Sequence, residues 1–209
     1  KGFMAKSDLV TVDAAGAKVS GKHSVTTEIK MHLKAYELRD DISAVVHAHP
    51  PYATAFALAG IPLSECMLPE VIVTLGAVPI ARYATPSTDE VAQSVAQVVT
   101  RSDAVLLQNH GVMTVGVDAV NAYHKLEMVE HFAKIVFIAR HLGRLSPLAH
   151  EEVTKLLAVR EKLGIKGPAP TCRELEASPG RDAADRASLV KAIVEEVLNA
   201  LREGNDALE

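Results

Sequence analysis

The sequence predicts an α/β protein with a three-layer α/β/α architecture and a largely antiparallel central sheet. Strand-like segments occur in pairs with helical segments between them, which differs from the strict alternation of a parallel sheet. Residues 117–141 carry a long apolar stripe of the kind that covers a sheet. The chain has 209 residues, of which 48% are hydrophobic, so it can bury one core of good size.

The first predicted elements are a hairpin and a helix. The stretch DLVTVDAAGAKVSG, residues 8–21, has two short β-rich runs on either side of an Ala-Gly turn. Apolar residues then recur at helical spacing over residues 24–38, and Ser24, Thr26 and Thr27 are candidate caps near the helix start.

The middle of the chain predicts two strand regions and two helices. A strand is expected in ISAVVHAH, residues 42–49, and a short helix in YATAFALAG, residues 52–60. Strand-like segments follow around residues 71–73 and 78–81. The sequence Pro-Ser-Thr-Asp-Glu is typical of a helix start, so we expect the next helix over residues 91–100.

A strand, a break and a second strand are predicted in DAVLLQNHGVMTVG, residues 103–116. The long helix over residues 117–141 follows directly. Its expected sheet-facing stripe contains Val120, Leu126, Val129, Ala133, Ile135 and Phe137.

Composition divides the chain into four parts. Residues 1–145 are predicted to form the main domain, and residues 146–165 an additional helix. Residues 166–187 are rich in proline, glycine and charge and are typical of a flexible linker. Residues 188–203 have apolar side chains at helical spacing and predict an amphipathic tail helix.

The composition also excludes several classes of partner. The net charge of −4 is small and the basic residues are scattered, which argues against nucleic acid. No apolar run approaches the roughly 18 residues that a membrane span needs. The two cysteines, Cys66 and Cys172, are far apart and form no CxxC pair, so we expect a reducing, cytoplasmic setting.

Two histidines close the predicted strand at residues 42–49. Side chains at positions i and i+2 of a strand project from the same face, so His47 and His49 are expected to point into one space. A catalytic zinc usually takes three protein ligands, and His110 is the best third candidate because it lies at a break between strands. A lone histidine is more often a core or surface residue, and two histidines at a strand end can simply be exposed.

Three stretches together resemble the class II aldolase/adducin family: AVVHAHPPYATAFALAG, LLQNHGVMTVGVDAVNAYHKLEMVEHFAKI and TTEIKMH. The resemblance runs in register from about Asp8 to about Arg140. It implies a metal site in which His47, His49 and His110 hold one Zn²⁺ per subunit, with other divalent metals as alternatives.

The resemblance also implies catalytic and substrate-binding positions. Thr26-Thr27-Glu28 matches the family's Ser-Ser-Glu motif, so Glu28 is the expected catalytic acid–base residue and the two threonine hydroxyls are expected to bind substrate phosphate. Their alternatives are a solvated first-turn glutamate and simple helix caps. Glu70 lies near the position of a tyrosine that reaches the site from a neighbouring subunit. It is therefore the candidate proton donor to the leaving aldehyde, or else a helix or turn residue without a catalytic role.

The implied activity is metal-dependent cleavage of a sugar phosphate. A ketose 1-phosphate such as L-fuculose 1-phosphate would give dihydroxyacetone phosphate and an aldehyde, lactaldehyde in that case. The alternatives on the same fold are a ribulose phosphate 4-epimerase, a sugar phosphate dehydratase and a non-catalytic adducin-like binding module. The family further implies a homotetramer with active sites between subunits. Its Gly-Asn and Thr-Pro-Ser-Gly phosphate loops would precede Lys1, so we expect the beginning of the natural chain to be absent.

The predicted tail helix, residues 188–203, resembles in pattern the encapsulation peptides that target enzymes into bacterial microcompartments. The resemblance implies a shell protein as partner. The alternative is a helix that packs on its own oligomer, because an apolar stripe requires only that something covers it.

Overall fold

The computed structural model of the chain describes residues 4–168. The predicted tail helix at residues 188–203 and the predicted linker beyond residue 168 lie outside the described residues. The domain boundaries drawn from composition therefore stay predictions.

The main sheet has four strands in the order β3-β6-β5-β4. β3 (Ala44–Ala48) pairs antiparallel with β6 (Gly111–Gly116), and β6 pairs antiparallel with β5 (Ala104–Leu107). β5 pairs in parallel with the short edge strand β4 (Ile80–Ala81). Because Ala48 lies opposite Val112, the last residues of β3 and the first residues of β6 lie at the same end of the sheet.

A separate two-stranded hairpin precedes the main sheet. β1 (Thr11–Val12) pairs antiparallel with β2 (Lys18–Ser20), as the sequence predicts. The Asp13 carboxylate accepts hydrogen bonds from the backbone N–H groups of Ala15 and Ala17, at 2.9 and 2.8 Å, and so closes the turn.

Helices cover both faces of the main sheet, which confirms the three-layer architecture. Val105 and Leu107 of β5 pack against α1 and α4, whereas Ala104 and Leu106 pack against α2 and α5, as strand alternation requires. α6 packs on α3 at one side through a smaller apolar cluster. The helices are α1 (Ile29–Leu38), α2 (Pro51–Leu58), α3 (Pro69–Thr74), α4 (Asp89–Val99), α5 (Ala119–Leu142) and α6 (His150–Lys162).

The first helix begins later than the sequence predicts. α1 starts at Ile29 rather than near Ser24, and Glu28 is its N-cap residue. Residues 24–27 are one serine followed by three β-branched residues, types that favour extended or capping conformations over a helix interior. Glu28 therefore lies in the turn that leads into α1.

Two further predictions are wrong. Val71–Val73 is helical, not a strand, because Pro69 at the first turn favours a helix start and a short apolar run does not reveal its period. In the long helix, Val120 and Phe137 are 62% and 42% exposed and lie off the sheet-facing stripe. The buried face of α5 contains Ala122, Leu126, Val129, Phe132, Ala133 and Val136.

A buried charge cluster lies at the opposite end of β5 from His110. Asp103 is 3% exposed and accepts hydrogen bonds from the Arg39 guanidinium at 2.8 Å and the Lys125 ammonium at 2.7 Å. Arg39 also contacts the carboxylate of the more exposed Asp41. The cluster joins α1, β5 and α5. None of the helices in residues 4–168 has the length and apolarity that crossing a membrane requires.

Candidate metal centre

The first two histidines of the site are held by the end of β3 and the start of α2. His47 is the fourth residue of β3, and His49 follows the strand directly. Pro50 and Pro51 then lead into α2, where Pro51 occupies the first helical position that proline favours. The extended chain places the two imidazoles side by side, with their Nε2 atoms 3.1 Å apart.

His110 comes from the tight turn between β5 and β6. Asn109 has a φ of +57°, a left-handed conformation that asparagine tolerates better than most residues. Its backbone N–H donates to the Ala57 carbonyl at 3.2 Å, and the His110 N–H donates to the Leu107 carbonyl at 3.0 Å. The turn is thus tied both to α2 and to its own strand, which fixes the direction of the His110 side chain.

The three imidazoles and Glu28 converge on one point. The ring centroids of His47, His49 and His110 are 4.7 to 4.9 Å apart in every pair. The Glu28 carboxylate oxygens lie 2.8 Å from His110 Nε2 and 3.4 Å from His47 Nε2. One potential ligand atom from each of the four residues lies within 4.8 Å of the others.

The environment of His47 suits a neutral ligand. Its Nδ1 is 2.8 Å from the Val112 carbonyl, which can only accept, so Nδ1 carries the proton and Nε2 presents a lone pair to the centre. Burial lowers the pKa of His47 from 6.5 to about 4, against the opposing attraction of the Glu28 carboxylate. The imidazole is therefore neutral at pH 7, the state that binds a metal.

This donor set fits a divalent transition metal. Three imidazole nitrogens are the ligand set of many catalytic zinc sites, and imidazole also suits other first-row metals. The carboxylate of Glu28 supplies a fourth donor or a proton-transfer group. The side chains of His47, His110 and Glu28 are only 5%, 12% and 19% exposed, and His49 is the exposed member of this group of four.

The remaining predicted site residues lie outside this cluster. Thr26 and Thr27 are exposed and directly precede Glu28, and the Thr26 hydroxyl is 3.4 Å from the Glu28 backbone nitrogen. A groove of about 660 Å³ borders Thr26 and Ile29, and the three histidines do not line it. Glu70 is exposed in the first turn of α3 and is not among the four converging residues. The roles of Thr26, Thr27 and Glu70 stay predictions.

The structure adds one residue to which the sequence patterns assigned no role. A Cβ atom built on Gly111 would lie 2.4 Å from His49 Cδ2 and 2.7 Å from the Ala48 carbonyl oxygen. Only glycine allows the His49 ring to approach β6 this closely. The sequence signal that could have identified Gly111 is its position directly after His110, at the first residue of a strand.

Comparison with known proteins is consistent with this geometry. The model of a family described as "Class II Aldolase and Adducin N-terminal domain" matches residues 1–137. The chain therefore belongs to the class II aldolase/adducin family. A solved structure of an L-fuculose 1-phosphate aldolase has a TM-score of 0.69 and 36% identity, and the match covers 76% of this chain and 74% of that chain.

Curated relatives in the family have more than one activity. An L-fuculose phosphate aldolase from Methanococcus maripaludis is 36% identical over 141 residues, which are 68% of this chain and 76% of the relative. A 5-deoxy-D-ribulose 1-phosphate aldolase from Bacillus thuringiensis is 30% identical, over 75% of this chain and 73% of the relative. A 3-oxo-tetronate 4-phosphate decarboxylase from Escherichia coli is 33% identical, over 62% and 63%.

Proposed function

We propose that the protein is a zinc-dependent sugar phosphate aldolase that reversibly cleaves a ketose 1-phosphate. The observation that carries this proposal is the convergence of His47, His49, His110 and Glu28 within 4.8 Å. Membership of the class II aldolase/adducin family supports the type of reaction, and the aldolases among the relatives support a ketose 1-phosphate as substrate.

The roles of the site residues follow from their chemistry. The three imidazoles would hold a divalent ion, whose Lewis acidity stabilises the negative charge that develops when the C3–C4 bond breaks. Glu28 is the group placed to exchange a proton with the substrate, because its carboxylate lies at the centre and is only 19% exposed. The products are dihydroxyacetone phosphate and an aldehyde.

Substrate phosphate is proposed to bind next to Glu28. The Thr26 and Thr27 hydroxyls are exposed there, and the N-terminal end of α1 adds a favourable field for an anion. Glu70 is proposed to exchange a proton with the aldehyde from a neighbouring subunit, which requires the homotetramer that the family resemblance implies.

The sugar is proposed to be L-fuculose 1-phosphate, with 5-deoxy-D-ribulose 1-phosphate as the second aldolase substrate to test. The decarboxylase among the relatives shows that the family supports other reactions of sugar acid phosphates. A ribulose phosphate 4-epimerase or a dehydratase therefore remains the alternative enzyme. A binding module without catalysis is disfavoured because all three histidines are present and converge.

A place inside a microcompartment is proposed from the tail sequence alone. Residues 188–203 would bind a shell protein as an encapsulation peptide. Deletion of the residues after Pro168 tests this: cleavage in solution should persist, while the protein should no longer co-localise with shells. Retained localisation would favour the alternative, in which the helix packs on its own oligomer.

The test of the main proposal measures metal content and aldol cleavage on the same sample of the full chain. We expect about one zinc per chain and release of dihydroxyacetone phosphate from one of the two ketose 1-phosphates. His110→Ala should lose both metal and cleavage. His124→Ala is the matched control, because His124 is an exposed histidine on α5 outside the converging group.

Two outcomes would contradict the proposal. Zinc without cleavage of either ketose would exclude the aldolase and leave the epimerase, dehydratase and decarboxylase reactions. Absence of bound metal in the wild-type protein would exclude the whole mechanism and favour a binding module.

A further inference from the structure

The N-terminus of α2 is capped by a side chain from a different helix. The first residues of a helix have backbone N–H groups without a partner inside the helix, and a serine, threonine, asparagine or aspartate at the N-cap usually accepts from them. Here the N-cap residue is Pro50, which has no such side chain, and its successor is Pro51. The Glu130 carboxylate of α5 takes over this role.

Glu130 satisfies every open donor at this helix start. Pro50 and Pro51 have no N–H, and the Thr54 N–H already donates to the Pro50 carbonyl at 2.9 Å. The two donors that remain are Tyr52 N–H and Ala53 N–H, which donate to Glu130 Oε1 at 3.0 Å and to Oε2 at 2.8 Å. Bonds to an ionised carboxylate are stronger than neutral ones, and its charge also favours the positive end of the helix.

These two hydrogen bonds, here called the Glu130 clamp, restrain the backbone that follows His49. Only the two prolines separate His49 from the first clamped N–H group, and each proline fixes its own φ near −65°. On the other side, β3 ends at Ala48, which is paired with Val112 of β6. His49 therefore lies in a short segment of restricted backbone conformation, between a strand paired in the sheet and a helix start that is hydrogen-bonded to Glu130.

The position of the His49 imidazole depends on its backbone more than the positions of the other two imidazoles do. It is the exposed member of the converging group, whereas His47 and His110 are partly buried. His47 is additionally held through Nδ1 by the Val112 carbonyl. The orientation of the His49 ring is consequently sensitive to where α2 begins.

We propose that Glu130 is a positioning residue for the metal centre, acting on His49 through the start of α2. This inference rests on the metal site of the proposed function. It does not depend on which sugar phosphate is cleaved, or on whether cleavage, epimerisation or decarboxylation follows.

The test compares Glu130→Ala, Glu130→Gln and Glu127→Ala in the full chain. Glu127 is the matched control: it is an exposed glutamate on the same helix, and its carboxylate forms no hydrogen bond or ion pair within residues 4–168. The readouts are the dissociation constant for Zn²⁺, the visible absorption spectrum of the Co²⁺-substituted protein, and the unfolding midpoint of the metal-free protein.

We expect Glu130→Ala to weaken Zn²⁺ binding by about tenfold or more and to change the Co²⁺ spectrum, because groups that orient a ligand typically contribute 10- to 100-fold to affinity. Glu130→Gln should lie between Ala and wild type, since its amide oxygen can accept one of the two bonds but its NH₂ group opposes the other. Glu127→Ala should bind as the wild type does.

Asp103→Asn distinguishes a general loss of stability from a specific effect on the metal centre, because it disrupts the buried charge cluster at the far end of the sheet. If Asp103→Asn weakens Zn²⁺ binding as much as Glu130→Ala does, or if Glu130→Ala binds with wild-type affinity, the positioning role is overturned. Wild-type protein that binds Zn²⁺ but cleaves no ketose phosphate would overturn the aldolase proposal. The role of Glu130 would then still be decided by the Zn²⁺ affinities of the Glu130 variants.

Discussion

Replacement of Gly111 by alanine should disrupt the metal centre without removing any ligand. The new Cβ would lie 2.4 Å from His49 Cδ2, whereas an ordinary carbon–carbon contact needs roughly 3.5 Å. The His49 ring must therefore move by about 1 Å. Movement of the ring alone does not relieve the strain, because the same Cβ is 2.7 Å from the Ala48 carbonyl oxygen in the neighbouring strand and the backbone must shift there as well.

A movement of this size exceeds what a metal site tolerates. Ligand distances in a working site hold within about 0.2 Å, so a ring displaced by about 1 Å no longer reaches the ion in the same geometry. We expect Gly111→Ala to weaken Zn²⁺ binding by about 100-fold, measured by calorimetric titration of the metal-free protein. Overpacking should also cost about 1–3 kcal/mol of unfolding free energy.

Gly116, at the other end of the same strand, provides the control. A Cβ there would lie 2.6 Å from the Ala122 nitrogen, a contact as close as those at Gly111 but remote from the histidines. Gly116→Ala should lower stability and leave Zn²⁺ affinity within about threefold of wild type. Equal affinities for Gly111→Ala and wild type, or equal losses in the two glycine variants, would refute the close-approach explanation.

Three other perturbations have distinct expected results. Glu28→Gln should lower the cleavage rate by about 10²- to 10⁴-fold with Zn²⁺ affinity changed by less than about tenfold, since it removes proton transfer but no imidazole; a parallel loss of metal would contradict this. Because burial lowers the pKa of His47 from 6.5 to about 4, the unfolded chain takes up a proton there as pH falls through this range and the folded chain does not. The metal-free protein should then lose about 3 kcal/mol of stability between pH 6.5 and 4, and His47→Gln should flatten that slope in urea unfolding. Asp103→Asn leaves Arg39 and Lys125 without their buried carboxylate and should cost about 3–5 kcal/mol in urea unfolding at unchanged Zn²⁺ affinity; a cost below about 1 kcal/mol would show that the cluster is dispensable.

Local patterns predicted most of the secondary structure. The hairpin, the strands around His47 and His110, and the helices α2, α4, α5 and α6 follow from periodicity, turn residues and caps, all of which act over a few residues. The wrong predictions fall where local signals are ambiguous. Val71–Val73 is too short to show a period, and the residues before Glu28 mix capping and strand preferences.

The sequence by itself determined the chemical character of the site: an HxH pair at a strand end, a third histidine at a strand break and a family motif that includes Glu28. The residue types and their spacing along the chain are sufficient for that. The tertiary structure decided how these groups meet. The β3–β6 register places His47 beside His110, the close approach at Gly111 sets His49, and Glu130 of α5 caps the helix that follows it. These contacts join residues far apart in sequence, and their geometry depends on long-range strand pairing and helix packing that no local pattern specifies.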